Sequence, residues 1–331
     1  MEGLADHILR DVLTRAGGYD GCVTEFIRVS ATVLPHSAYK RVSPELQHGS
    51  CTRAGTPVSV QLLGSDPELL AANAAHLAKL RPAGIDLNFG CPTPLINRRR
   101  GGAALLNEPE LLQRIVVAVR AAVPADIPVS AKMRLGISDS SRAVECACAL
   151  EDGGIAELVV HARTREDAYR PPARWHAVAA IRQRLRVPVI ANGEVWNRAD
   201  YQAIRQATGC ADVMLGRGAV ADPLLAQRLR SGAADDAAGD WAMLAAMIVD
   251  FWAQVQNKVS STQAPGRLKQ WLLLLRRSYA PADRLFLDLR ALRTAGEVSA
   301  VLRQHLVEGA RMSLAADTDE FTDTPAKESI A

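Results

Sequence analysis

Cys91 is the residue of this chain best placed to do chemistry. It stands in Asn88-Phe89-Gly90-Cys91-Pro92, where the run Gly84–Asn88 ends, so a thiol is delivered to the C-terminal rim of a strand. Gly90 permits backbone angles closed to other residues and Pro92 cannot extend a ladder, so the turn is bare on one side and stiff on the other. A thiol with an ordinary pKa of about 8.5 is protonated at neutral pH and can hand a proton to a substrate. Free cysteines are also among the most buried and inert residues, so position alone does not make one reactive. Three further polar side chains end runs of the same kind: Gln61 in VSVQLL, Lys132 in PVSAKM and His161 in ELVVH. Taken singly, Gln61 can cap a loop, Lys132 can neutralise an acid and His161 can sit satisfied in a core. Three such side chains at three strand ends point to one shared site. Asn192-Gly193-Glu194 and Gly216-Arg217-Gly218 close two later runs and combine glycines, which let a backbone come close, with a guanidinium able to grip a phosphate in two places.

Such residues need a scaffold that gathers strand ends. Seven short β-rich runs recur, each followed by an amphipathic segment: Cys22–Phe26, Val58–Leu62, Gly84–Asn88, Val129–Met133, Glu157–His161, Val187–Ala191 and Ala211–Leu215. This alternation predicts parallel βα units. Asp66-Pro67-Glu68 and Asn107-Glu108-Pro109-Glu110 each read as a helix start, a capping side chain followed by proline in the first turn. Gly101-Gly102 reads as an open path into the second of these helices. No Gly-x-Gly-x-x-Gly follows a strand, which counts against a dinucleotide-binding open sheet. The succession across residues 20–220 favours a TIM (β/α)₈ barrel, an α/β fold that typically takes about 250 residues.

The expected layout is a catalytic barrel over 1–230, a small acidic linker over 231–240, a helical domain over 241–310 and a disordered tail over 311–331, where acids dominate and large apolar residues are scarce. Trp241–Glu308 reads as helix throughout. Within Arg267–Arg277 the residues Leu268, Trp271, Leu272 and Leu275 fall at i, i+3, i+4 and i+7, with Arg267, Lys269, Gln270, Arg276 and Arg277 on the other side. From Lys258 to Arg293 there are eight Lys/Arg against two acids.

The whole chain of 331 residues carries a net charge of only +3, so a nucleic-acid surface must come from such local clustering. The six cysteines include no Cys-x-x-Cys pair, and no metal site is expected. Cys146-Ala147-Cys148 reads as helix core or surface. No apolar run reaches the roughly 18 residues of a membrane span, no signal peptide opens the chain, and a reduced cytoplasmic protein is expected, with no membrane or protein partner indicated.

Asn88-x-Gly90-Cys91-Pro92, Val129-Ser-Ala-Lys132-Met-Arg134-Leu-Gly136 and Val189-Ile-Ala-Asn192-Gly193-Glu194, in this order and spacing, resemble the tRNA-dihydrouridine synthases from Met1 to about Arg293. The resemblance implies an FMN-dependent oxidoreductase that uses NADPH to reduce a uridine of tRNA to 5,6-dihydrouridine, with Cys91 as the proton donor. It places Met1, Gln61, Lys132, His161, Asn192, Gly193, Glu194, Gly216 and Arg217 on the flavin. It places Arg28, Asn88, Arg134, Tyr169, Arg267, Lys269 and Arg290 on the tRNA. Arg28 and the Arg-x-Lys of the C-terminal helix resemble the C subfamily, which acts on uridine 16 of the D-loop. Leu274 departs from the tyrosine common there, and Arg98-Arg99-Arg100 departs from the small residues usual before the paired glycines; that arginine run reads either as a solvated face or as a grip on the tRNA backbone.

A barrel needs eight strands and seven are counted. The family's first strand ends in an Ala-Pro-Met-Glu-Gly turn, and Met1-Glu2-Gly3 falls in the middle of it. The expectation is a first strand absent from the sequence as given, through a start placed too far downstream. Two alternatives stay open at this point, an FMN barrel acting on a free pyrimidine and a tRNA-binding protein without flavin.

Overall fold

A computed structural model of the chain describes residues 4–98, 100–234 and 237–305. Every β-rich run becomes part of one sheet: β1 Cys22–Val23, β2 Ile27–Arg28, β3 Val58–Leu63, β4 Gly84–Phe89, β5 Val129–Arg134, β6 Leu158–His161, β7 Val189–Asn192 and β8 Val213–Met214. Pairing runs β1-β3-β4-β5-β6-β7-β8, with β2 also on β3, and it is parallel throughout. A doubly wound sheet reverses its strand order at a switch point; this one never does, and the chain winds one way as in a (β/α)₈ barrel. Among the described residues β8 pairs only with β7, so the pairing is an open arc. Met1 lies outside the described residues, as does the tail expected over 311–331.

The first run departs from expectation. Read as one strand, it is broken. Cys22 and Val23 face Val58 and Ser59, while Ile27 and Arg28 face Leu62 and Leu63, so one chain takes four steps where the other takes three. The extra residue makes a bulge. At the break the Thr24 hydroxyl oxygen accepts the N–H of Gln61 at 3.0 Å, a bond that an unbroken ladder would make with a carbonyl.

Alternation decides what faces the site. Val60, Leu62, Ile85, Leu87, Val129 and Met133 are buried beneath the helices, and the residues between them, Gln61, Asp86, Asn88, Ser130, Lys132 and Arg134, point to the other face of the strands. That face is crowded: a Cβ on Gly84 would stand 2.7 Å from the Ser59 hydroxyl. Helices Pro67–Ala78, Pro109–Ala122, Ala143–Asp152, Trp175–Arg184 and Arg198–Thr208 cover the outer face. Asp66 caps the first of them, its carboxylate accepting from Leu69 N at 2.9 Å. The second starts differently: Glu108, not Asn107, is its N-cap and its side chain makes no capping bond, because a 3₁₀ turn over Gly102–Asn107 takes up Asn107. Cys146 is buried and Cys148 partly so, both within Ala143–Asp152.

The described residues divide into two compact units between Ala233 and Ala234. The second unit is helical but not continuously so. Helices Ala237–Gln256, Ala264–Leu275 and Ala280–Leu289 are followed by helical residues 295–305. The first of them begins inside the stretch read as linker, and Pro265 and Pro281 each start a new helix at its first turn. Leu268, Trp271, Leu272 and Leu275 are all buried, as their spacing predicts. Trp271 meets the Phe251 ring edge-on at 4.8 Å, a pairing that contributes about 0.5–1.5 kcal/mol beyond the area it buries.

Candidate active site

The turn after β4 is built around Cys91. Asn88 Oδ1 accepts from both Gly90 N (3.0 Å) and Cys91 N (2.9 Å), which folds the chain back at the strand end. The Cys91 carbonyl accepts from Ala103 N at 3.1 Å and from Asn97 Nδ2 at 2.9 Å. Its thiol, in a residue only 7% exposed, donates to Thr93 Oγ1 at 3.3 Å. Gly102 is no open path. It has φ +61, and a Cβ there would stand 2.8 Å from the Cys91 carbonyl oxygen and 2.9 Å from its Cβ. Both the backbone angle and the close approach require glycine.

On the same side of the sheet, strand register lines up polar side chains. Gln61, Asp86 and Ser130 are neighbours across β3, β4 and β5; Lys132 lies beside Asn88, and His161 lies between Arg134 and Asn192. Lys132 Nζ donates to Asn192 Oδ1 at 3.0 Å, and Asn192 Nδ2 donates to the Met214 carbonyl at 2.8 Å, tying the ends of β5, β7 and β8 together. Burial pushes the Lys132 ammonium down from 10.5 to about 8, Asp86 opposes this, and Arg134 adds to it. Burial, then Lys132, Arg134, Arg163 and Arg217, hold His161 far below the usual imidazole range. His161 is therefore neutral at physiological pH. Arg163 Nη1 lies 3.4 Å from its Nε2, which makes Nε2 the acceptor and leaves the proton on Nδ1.

The Lys132 shift carries a pH prediction. In the unfolded chain the ammonium titrates near 10.4, so between about 8 and about 10 the unfolded state holds a proton that the folded state has lost. Stability linked to this group therefore rises with pH across that window and is flat below it. Urea unfolding of the flavin-free protein at several pH values in that window should show the rise in wild type and its loss in Lys132→Met. An equal pH dependence in the two proteins would contradict the assignment.

Later strand ends supply the rest of the rim. Gly193 has φ +124, and a Cβ there would stand 3.0 Å from His161 Cδ2. Its carbonyl accepts from Trp175 Nε1 at 3.0 Å. Glu194, in the left-handed region at φ 63, pairs with the buried Arg163 and accepts from Ala173 N at 2.8 Å. The Arg217 guanidinium lies between two rings, 4.7 Å from the centroid of Tyr169 and 5.2 Å from that of Trp196. Of the two glycines beside it, Gly218 serves packing: a Cβ there would overlap the Val195 carbonyl oxygen at 1.9 Å. Gly216 has no such conflict, with Asn192 Nδ2 at 3.9 Å. A thiol at one rim, a desolvated ammonium and neutral imidazole beside it, and an aromatic-flanked guanidinium beyond them make a site for an anionic, planar ligand next to a proton donor.

Residues 1–285 match the protein family described as dihydrouridine synthase (Dus). The chain belongs to the dihydrouridine synthase family. A protein of Cupriavidus necator named tRNA-dihydrouridine(16) synthase is 54% identical, the match covering 91% of this chain and 94% of that one. A protein of the same name from Ralstonia nicotianae is 50% identical over 96% of this chain and 97% of its own. Among solved structures, histamine dehydrogenase from Rhizobium sp. 4-9 superposes with a TM-score of 0.55 at 14% identity, over 92% of this chain and 61% of that one, a likeness of fold.

In this family member the structure brings together Cys91, Gln61, Asn88, Lys132, Arg134, His161, Asn192 and Arg217 at the strand ends. Several of them are engaged inside the protein. Both polar ends of the Asn88 amide and three N–H groups of Arg134 are bonded within the chain, the latter to the carbonyls of Gly90, Thr164 and Ala168. Arg134 is 2% exposed and also faces the Tyr169 ring at 5.4 Å, so it braces the Cys91 turn and the loop after β6. Tyr169 is half exposed. Arg28, on β2, lines a cleft of about 130 Å³ with Leu63, Ile96 and Gly101, directly behind the Cys91 turn.

In the second unit, Lys269 Nζ donates to the carbonyls of Arg290 (3.1 Å) and Leu292. It closes the end of helix Ala280–Leu289, so the ammonium expected on the tRNA is bonded to backbone of its own chain. Arg290 is exposed, and Arg267 and Leu274 are half-buried. Arg98 is exposed, Arg99 lies outside the described residues, and Arg100 pairs with Glu108 at 2.5 Å.

Sequence reasoning missed Asp86, Thr93, Arg163 and Trp196, and took Gly102 for an open path. Asp86 had a signal, since it shares the period-two face of β4 with Asn88. Thr93, Arg163 and Trp196 sit in loops, where no periodicity marks which way a side chain points.

Proposed function

We propose that this synthase reduces uridine 16 of tRNA to 5,6-dihydrouridine, in the cytoplasm, with FMN as cofactor and NADPH as electron donor. The observation that carries the reading is the juxtaposition of the Cys91 thiol with the cationic rim of Lys132, neutral His161 and Arg217. The name shared by relatives at 50–54% identity supports the position.

The residues fit a flavin by charge. A buried ammonium whose proton is already loosened by desolvation gains from an anionic ring edge, and Lys132 is such a group. Lys132, Gln61 and Asn192 would hold the ring; the Arg217 guanidinium, Gly216 and the Gly193 turn would hold the phosphate. When bound, reduced FMN supplies the hydride for the uracil 5,6 double bond. Cys91 Sγ holds the proton that the second carbon takes up, forming the new C–H bond and leaving a thiolate. The Thr93 hydroxyl, 3.3 Å away, accepts from the thiol before transfer and donates to the thiolate after it. Lys132 would place positive charge against the cofactor it helps to hold. Asn88 and Gly102 fix the turn so that the donor does not wander.

A stopped-flow experiment checks substrate and reductant together. Flavin-loaded protein reduced by NADPH without oxygen is mixed with a tRNA transcript carrying uridine 16, and the oxidised flavin spectrum should return. The same transcript with cytidine at that position should leave the protein reduced. Equally fast return with free uridine would favour the free-pyrimidine reading instead.

A further inference from the structure

The polar residues beside Cys91 form a hydrogen-bonded chain with one direction. Asn88 Oδ1 accepts from the N–H groups of Gly90 and Cys91, which fixes its Nδ2 as a donor to Gln61 Oε1 at 2.7 Å. Gln61 Oε1 being the acceptor, its Nε2 must point the other way, and it donates to Asp86 Oδ2 at 2.6 Å. Asp86 Oδ1 accepts from the Ser130 hydroxyl at 2.7 Å. Every amide in the row is thus oriented by the next, and the row ends on Asp86, whose two oxygens accept from Gln61 and Ser130. Asp86 is 1% exposed, Gln61 6% and Ser130 8%, so water does not stand in for a lost partner. A buried carboxylate with no task is costly, and here its task is legible.

We propose that Asp86 is a positioning residue for Cys91, acting through Gln61 and Asn88 to lock the turn that carries the thiol. The proposal rests on the reading of Cys91 as the proton donor. It also changes what Gln61 does: besides facing the cofactor, it transmits orientation from β4 back to the β4 turn through β3. One carboxylate and one carboxamide are needed at positions 61 and 86, in either order, since exchanging them reverses donor and acceptor only at their shared bond and leaves the outer ends of the row as before.

That symmetry supplies the test. Gln61→Glu sets two carboxylates against each other and breaks the row, whereas Gln61→Glu with Asp86→Asn restores it: Asn at 86 donates to Glu at 61, which still accepts from Asn88. The readout is the rate at which iodoacetamide alkylates Cys91 in the full chain, followed by mass spectrometry of the Cys91 peptide, which needs no turnover. Gln61→Glu should react about tenfold faster than wild type, the change expected when a buried hydrogen bond holding the turn is lost. The double variant should return to within about twofold of wild type.

Should Gln61→Glu yield no folded protein, recovery of folded protein in the double variant is the same rescue. Gln61→Met, neutral and of like length, then gives the alkylation rate. Unchanged alkylation in the single variants, or a double variant as fast as Gln61→Glu, would overturn the proposal. Failure of the Cys91 reading looks different: Cys91→Ala would stay active while the alkylation order held.

Discussion

Cys91→Ala will bind flavin and tRNA as wild type does and lose dihydrouridine formation by roughly 10²–10⁴-fold, the usual contribution of a positioned general acid. The substitution removes only Sγ and its bond to Thr93. The backbone bonds that shape the turn, from Cys91 N to Asn88 and from Ala103 and Asn97 to the Cys91 carbonyl, are all kept by alanine. Reduction of the flavin by NADPH should survive, because that step does not use the thiol. Single-turnover assays of the reduced, flavin-loaded variant with tRNA measure the loss. A rate equal to that of wild type would show that the proton comes from elsewhere.

The second large effect separates charges that look alike in sequence. Arg267→Ala with Arg290→Ala should weaken tRNA binding and reduce the slope of log K against log salt by about 0.7–0.9 for each phosphate contact removed. Lys269→Ala should act on stability instead, since its ammonium closes the carbonyls of Arg290 and Leu292 and is itself held below the usual lysine range by burial. Its melting temperature should fall, and its salt slope should stay close to that of wild type. A salt slope unchanged in the double arginine variant would mean that this face is solvated and that the RNA docks elsewhere. Arg98, exposed just beyond the Cys91 turn, is the next residue to replace.

Much of this was legible before any coordinates. Strand runs and their order followed from β-branched residues between turn signals, and the strand-end positions of Cys91, Gln61, Lys132, His161 and Asn192 followed from where those runs stop. What stayed hidden was partnership. Residue type announces that Asn88, Glu194 and Lys269 can bind something, but not that each is engaged by its own chain, because the partners come from other turns, loops and helices. The break after Val23 was hidden for the same reason: the Thr24 hydroxyl takes the place of a backbone acceptor only once β3 lies beside it. Gly102 was read as an open path and Gly218 as room for a phosphate, yet the two mark close approaches within the chain, to Cys91 and to Val195. A glycine's reason lies in its neighbour, and the neighbour is a tertiary fact.

The central claim is that this chain makes dihydrouridine at position 16 of tRNA, and it is tested most directly by mapping that base. tRNA from a strain deleted for this gene, and from the same strain complemented with wild type or with Cys91→Ala, should be read for dihydrouridine at every D-loop uridine. The account predicts loss at position 16 alone on deletion, return with wild type and no return with Cys91→Ala. Dihydrouridine at position 16 persisting in the deleted strain, or its loss at a different uridine, would contradict it.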